Sequence, residues 1–185
     1  DWSSDVCSSD LPLLAERYGT GEVPQRLPVY VGGGFYGGDD PAHAGLQDEL
    51  RRYRDAGYRR MKIKAGGLPL HDDLRRIEAA LRVVGRGENL ALDLSCAFAG
   101  DAATAFAAAV APLDLWWIEE PCGPLDFETY RQLSMAYPGL VAGGENLFSR
   151  EEVLNFLRYG PRPERTVLQP DPPLCYGIDE YARIV

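Results

Sequence analysis

Cysteine is sparse in this chain of 185 residues, and the four present, Cys7, Cys96, Cys122 and Cys175, form no CxxC pair. A disulfide-stapled scaffold and a structural zinc knuckle are both excluded by that spacing. Histidine is scarcer still, with only His43 and His71, both in helical or helix-entry contexts. No apolar run approaches the roughly 18 residues of a membrane helix. Basic residues are outnumbered, 19 Lys and Arg against 28 Asp and Glu, for a formal net charge of -9. That balance argues against a nucleic-acid or anionic-membrane surface, which needs clustered positive charge. The first residues, Asp1 to Leu11, lack the basic start and apolar core of a secretory signal, so a cytoplasmic location is the default.

What remains is ordinary globular material, 45% hydrophobic and 25% charged, of a length suited to one domain. The opening DWSSDVCSSDL has neither helical nor strand period, and residues 1–27 are set aside as a non-native or stub segment. From residue 28 to 185 short apolar runs alternate with longer amphipathic ones. Strands are predicted at Pro28–Val31, Arg60–Lys64, Leu90–Asp93, Leu115–Glu119, Val141–Gly144 and Val167–Asp171, each nearly continuously apolar, as in a parallel sheet. Helices are predicted at Pro41–Ala56, with Leu46, Leu50 and Tyr53 on one stripe, and at His71–Val84. Further helices follow at Asp101–Val110 (from an acidic cap), Phe127–Tyr137, Ser149–Tyr159 and Ile178–Val185. Ser149 followed by Glu152 reads as a capping box. Six strand-then-helix units imply a wound parallel α/β fold or a barrel.

The ionisable residues favour the barrel. Lys64, Asp93, Glu119, Glu145 and Asp171 each close a predicted strand, at intervals of 29, 26, 26 and 26 residues. Side chains at matched depth on successive strand ends converge only if the sheet curls into a ring, whose C-terminal mouth is where (β/α) barrels carry their chemistry. Any one of these acids taken alone would more simply be a helix cap or a surface ion pair.

Three carboxylates around one point would repel each other or take up protons unless a cation joined them. Oxygen ligands alone point to Mg²⁺ or Mn²⁺ rather than zinc. Lys62 and Lys64, two apart on one strand, face the same side, and proximity to each other and to a metal is expected to lower their pKa values. Such a lysine suits proton abstraction beside a carboxylate, with the fixed charges stabilising the enolate. Trp116 and Trp117 are read as core, and Glu120 as a structural ion-pair partner facing away from the ligands. Cys96, Cys122 and Cys175 follow the acids closely and are either soft-metal competitors or plain loop thiols. The run from Gly32 to Gly38 has no GxGxxG spacing into a helix, so a dinucleotide site is not expected; Phe35 or Tyr36 is expected instead as pocket lining.

The ordered set Lys62-Ile63-Lys64, Asp93, Glu119-Glu120-Pro121, Gly144-Glu145-Asn146 and Gln169-Pro170-Asp171 resembles the barrel domain of the enolase superfamily, mandelate racemase subgroup. Within it the likeness is to acid-sugar dehydratases of the D-tartrate type, through Gly144 to Ser149, Leu157 to Gly160 and Tyr176-Gly177. The resemblance implies that Asp93, Glu119 and Glu145 are Mg²⁺ ligands and Lys64 the base. It implies also that Lys62 assists the substrate carboxylate, and that Asp171 orients a catalytic histidine on the following strand. It implies a small hydroxy-acid substrate and, at full length, a homo-oligomer. A racemase or epimerase is the nearest alternative, and a non-catalytic metal-binding chain another. Three departures accompany the likeness. The histidine is not found, and the expected fold is an incomplete (β/α) TIM-type barrel lacking the N-terminal capping domain and the last strands, so the chain alone is expected to be inactive. Ser95 stands where the family usually has Asn. The three thiols lie near the mouth.

Overall fold

The structure, a computed structural model, describes residues 26–37, 40 and 42–185, together with 16, 17 and 19. The segment Asp1–Leu11, set aside above, lies outside the described residues. From residue 26 onward the described residues form six strands alternating with six α-helices: β1 (Val31–Gly33), α1 (Ala44–Asp55), β2 (Met61–Lys64), α2 (Leu70–Val84), β3 (Leu90–Asp93), α3 (Asp101–Val110), β4 (Trp117–Glu119), α4 (Phe127–Ala136), β5 (Leu140–Gly143), α5 (Arg150–Tyr159), β6 (Thr166–Leu168) and α6 (Ile178–Ile184). All five pairings are parallel and the strand order is the chain order, β1 to β6. A doubly wound sheet would reverse order partway; continuous winding in one direction is the topology of an incomplete TIM-type barrel.

The alternation of side chains across each strand sorts the two faces. Met61, Ile63, Leu90, Leu92, Ile118 and Val141 point outward and are fully buried beneath the helices, forming the main core with Ile77, Leu133 and Phe156. The inner face carries a second, smaller cluster of Ala91, Trp117 and Ala142, flanked by Trp116, Leu140 and Val167. Small alanines on β3 and β5 leave room for the indole between them. Above this layer, toward the C-terminal ends, the inner face becomes charged.

Local signals explain most boundaries. Ser149 accepts from Glu152 N while Glu152 reaches back to the Ser149 N–H, so α5 opens on the expected capping box. Helix α3 differs from expectation: its cap is Gly100, and Asp101 is already the first helical residue. Strand β1 begins three residues later than predicted. Its first pairing is Val31 with Met61, since Pro28 has no N–H to give a ladder. Strand β6 is also displaced, ending at Leu168 rather than Asp171.

Candidate active site

The ladder positions the site. Lys64 pairs in register with Asp93, and Asp93 with Glu119, so these three close their strands at one depth on the inner face. The ladder continues past the strand ends through Ala65 N to Asp93 O (2.9 Å), Leu94 N to Glu119 O (2.9 Å) and Glu120 N to Ala142 O (3.0 Å). Glu145 does not share that depth. Glu119 pairs with Ala142, so Glu145 lies in the loop beyond β5. Gly144, at φ +122, makes the turn that carries it, and a Cβ there would crowd Leu168 Cδ1 at 3.1 Å. Asp171 likewise lies past the end of its strand, β6. Its Oδ1 accepts from Leu174 N at 3.1 Å and its carbonyl from Cys175 N, closing the turn after β6.

Charges interlock at the mouth. Lys64 Nζ donates to Asp93 Oδ2 at 2.7 Å and to Ser95 Oγ at 2.8 Å. Ser95 in turn holds Asp93 Oδ1 through both its N–H (3.0 Å) and its hydroxyl (3.1 Å). The Lys62 ammonium lies between Asp93, 3.3 Å from Oδ2, and Glu119, to which it donates directly. Glu119, 1% exposed, accepts on its other oxygen from Trp117 Nε1 and Gln169 Nε2, each at 3.0 Å. Trp117 is thus more than core: its N–H fixes a carboxylate of the site. Gln169 belongs to the Gln169-Pro170-Asp171 motif, but no local pattern predicts its contact with Glu119.

Glu120 departs from expectation. A strand residue after Glu119 should face the helices, but Glu120 has φ +43, which breaks the alternation. Its carboxylate is 3% exposed and accepts from Asn146 Nδ2 at 2.7 Å. It finds an amide rather than a cationic partner. Burial raises its pKa, and the charges of Asp93 and Glu119 add to the effect. Glu145 is raised likewise, by burial first and then by Glu120, Glu119 and Asp93. For Asp93, burial works upward but the Lys64 hydrogen bond and both ammonium charges outweigh it, holding the group below its ordinary value. Without a metal beside it, Lys62 is raised. Burial favours the neutral amine, yet the hydrogen bond and charge of Glu119, joined by Asp93, prevail. Two of the thiols are held protonated by the same physics: burial pushes Cys96 up to about 11 and Cys122 up to about 12.

Among the described residues no three His, Cys, Asp or Glu side chains stand arranged around a common point as a metal site. The donor chemistry nonetheless fits a hard divalent cation. Four carboxylates, Asp93, Glu119, Glu120 and Glu145, act on one another across the mouth against two ammonium groups, and Lys62 already serves as a cation between two of them. Gln169 Oε1, beside Glu119, is buried with no partner, one more acceptor facing no donor. His43 stands at the N-cap position of α1 without a side-chain cap bond, and His71 lies exposed on α2 against Asp72.

Comparison with known proteins gives the arrangement a context. The family profile described as "Enolase C-terminal domain-like" matches residues 45–185. A 3,6-anhydro-alpha-L-galactonate cycloisomerase of Streptomyces coelicolor is 33% identical over 158 residues, 85% of this chain and 42% of that protein. Among solved structures, a racemase from Streptomyces coelicolor A3(2) with bound magnesium superposes with a TM-score of 0.74 at 30% identity, covering 85% of this chain and 46% of the other. An L-talarate dehydratase from Polaromonas sp. JS666, complexed with Mg and L-glucarate, gives 0.76 at 26% identity over 92% of this chain and 46% of its own. The chain spans less than half the length of these relatives. No helix among the described residues is long and apolar enough to cross a membrane.

Proposed function

Because this chain belongs to the enolase C-terminal domain-like family, we propose that its strand-tip cluster abstracts the proton α to the carboxylate of a hydroxy acid or acid sugar, and that the intact enzyme is a Mg²⁺-dependent dehydratase. The observation that carries the reading is one hydrogen-bonded network on the inner face joining Lys62, Lys64, Asp93 and Glu119. Asp93, Glu119 and Glu145 would hold the cation, with Mn²⁺ an acceptable substitute for the same oxygen donors. When bound, Mg²⁺ supplies the positive charge against which a substrate carboxylate can accumulate electron density.

The chain's own residues do the rest. Lys62 neutralises the substrate carboxylate from the same face of β2. Lys64 takes the α-proton, and Ser95 Oγ, 2.8 Å from its Nζ, directs the amine. Trp117 and Gln169 hold Glu119 in place from two sides. Asp171 keeps the orienting role implied by the resemblance, toward a histidine that none of the described residues supplies, and the chain by itself therefore turns over negligibly. Incubating the intact enzyme and Mg²⁺ with D-tartrate, L-talarate or L-glucarate tests the proposal. A keto acid one water lighter than the substrate should form, and Lys64→Met should abolish both it and exchange of the α-proton with ²H₂O. Turnover that survives Lys64→Met or removal of metal by EDTA would refute it. The cycloisomerase relative favours a second outcome of the same first step, isomerisation, which a product of unchanged mass would reveal.

A further inference from the structure

We propose that Arg76 is a positioning residue for Lys64: its buried guanidinium ties the tip of β2 to the loop leaving β1 and thereby fixes where the amine stands. The inference rests on the reading of Lys64 as the base.

Strand β1 follows β2 only as far as the pairing of Gly33 with Ile63. At Gly34 the backbone turns to φ +60 and leaves the ladder, so the next carbonyl of β2, that of Lys64, lies past the last β1 pairing. Arg76, on α2 and 6% exposed, fills that gap. Its Nη1 donates to Lys64 O at 2.9 Å, and its Nη2 to Gly34 O and, at 3.3 Å, to Phe35 O. One planar fork thus replaces the hydrogen bonds a continuing strand would have made, which a lysine with its single nitrogen cannot do.

A second set of contacts holds the loop on the guanidinium. The Tyr36 ring lies 4.6 Å from the Arg76 Cζ. Tyr36 OH donates to Asp73 Oδ1 and accepts from Gly67 N at 2.9 Å. Asp73, 1% exposed, also accepts on Oδ2 from Gly66 N (2.8 Å) and Leu68 N (3.3 Å). Arg76 and Asp73, one turn apart on α2, therefore clamp both loops that flank Lys64. Phe35, on the clamped loop, lines the hollow of about 230 Å³ that Lys62, Lys64 and Asp93 also line. None of this machinery touches the carboxylate cluster directly; it acts through the backbone.

The chain has only two lysines, 62 and 64, so reductive ¹³C-methylation yields a spectrum of those two and the N-terminal amine. Arg76→Met should shift the Lys64 resonance and leave Lys62 nearly in place. It should also raise amide hydrogen exchange at least tenfold in 34–37 and 66–68, with Glu120 and Gln169 N–H unchanged. Arg76→Lys should recover part of both effects, and Tyr36→Phe, which removes one hydroxyl, should loosen the same loops mildly if Arg76→Met fails to fold. In the intact enzyme assayed with L-talarate, Arg76→Met should lower kcat at least tenfold with KM within threefold. An unmoved Lys64 resonance, loosening spread evenly over the chain, or kcat unchanged while the loops open would each overturn the proposal. If the parent enzyme turned over none of the tested acids, the dehydratase reading would fail, and the lysine spectrum and exchange would still decide for or against the clamp.

Discussion

Replacing Lys62 with Met, which keeps the length and removes the charge, isolates the balance of charge at the mouth. The Lys62 side chain is 16% exposed and sits between Glu119 at 1% and Asp93 at 8%. Removing one partner of a buried ion pair costs about 3–5 kcal/mol, because the remaining charge has lost its compensation. Asp93 keeps Lys64 as a partner, which places the expected loss near the lower figure, about 3 kcal/mol without metal. For a domain of this size that corresponds to a fall in Tm of roughly 6–12 °C. A divalent cation bound by Asp93, Glu119 and Glu145 would replace the lost charge. At a hundredfold excess over its Kd it would return about 2.7 kcal/mol, nearly the whole deficit. The parent chain should respond less to the same Mg²⁺, because Lys62 must first leave the two acids. Urea unfolding of both chains, with EDTA and then with Mg²⁺, measures all four stabilities. Equal stability of the two chains in EDTA, or an equal response to Mg²⁺, would refute the reasoning.

Acidification of the metal-free chain should show a rise before a fall. Glu120 and Glu145 have folded pKa values above their ordinary 4.5, so each holds its proton more tightly when folded. Stability should therefore increase as pH drops from 7 through those raised values, and Glu120→Gln should flatten the increase in urea titrations at pH 7, 6 and 5. Asp93 has the opposite sign: lowered from 3.8 when folded, it contributes above that value, and its contribution is lost only as pH falls through the folded one. Ser149→Ala should cost about 1 kcal/mol by opening the capping box of α5, a Tm loss of a few degrees by calorimetry. Gly87→Ala should prevent soluble expression, since its Cβ would stand 1.9 Å from the Leu113 carbonyl oxygen, where only the backbone could yield. Trp117→Phe should cost about 2 kcal/mol in chemical unfolding, the value of a hydrogen bond to a charged acceptor, by removing a donor from buried Glu119.

Periodicity made the wound parallel fold legible, because each strand and helix announces itself within a few residues. The same is true of Lys64, Asp93 and Glu119, which end their strands in register as their spacing implied. Glu145 and Asp171 shared that spacing yet lie past their strands, since equal intervals in sequence do not fix where a strand stops. Glu120 escapes the pattern because alternation assumes extended backbone, and a positive φ beside Pro121 is not encoded in residue hydropathy. Arg76 and Asp73 are illegible in the sequence for another reason. On α2 they look like ordinary helix-surface charges, and only the path of the chain from Gly34 to Tyr36, which no local pattern specifies, adds two carbonyls and a tyrosine to the Lys64 carbonyl at their tips.

The unbroken order β1 to β6 also bears on how the chain acquires its shape. Every new strand finds its partner in the one just completed, so each docking closes only a single strand–helix unit, with a modest entropy penalty for loop closure. Assembly can then proceed as a zipper from the N-terminal side, keeping pace with synthesis on the ribosome, and Lys64 would be seated before the acids that surround it have emerged.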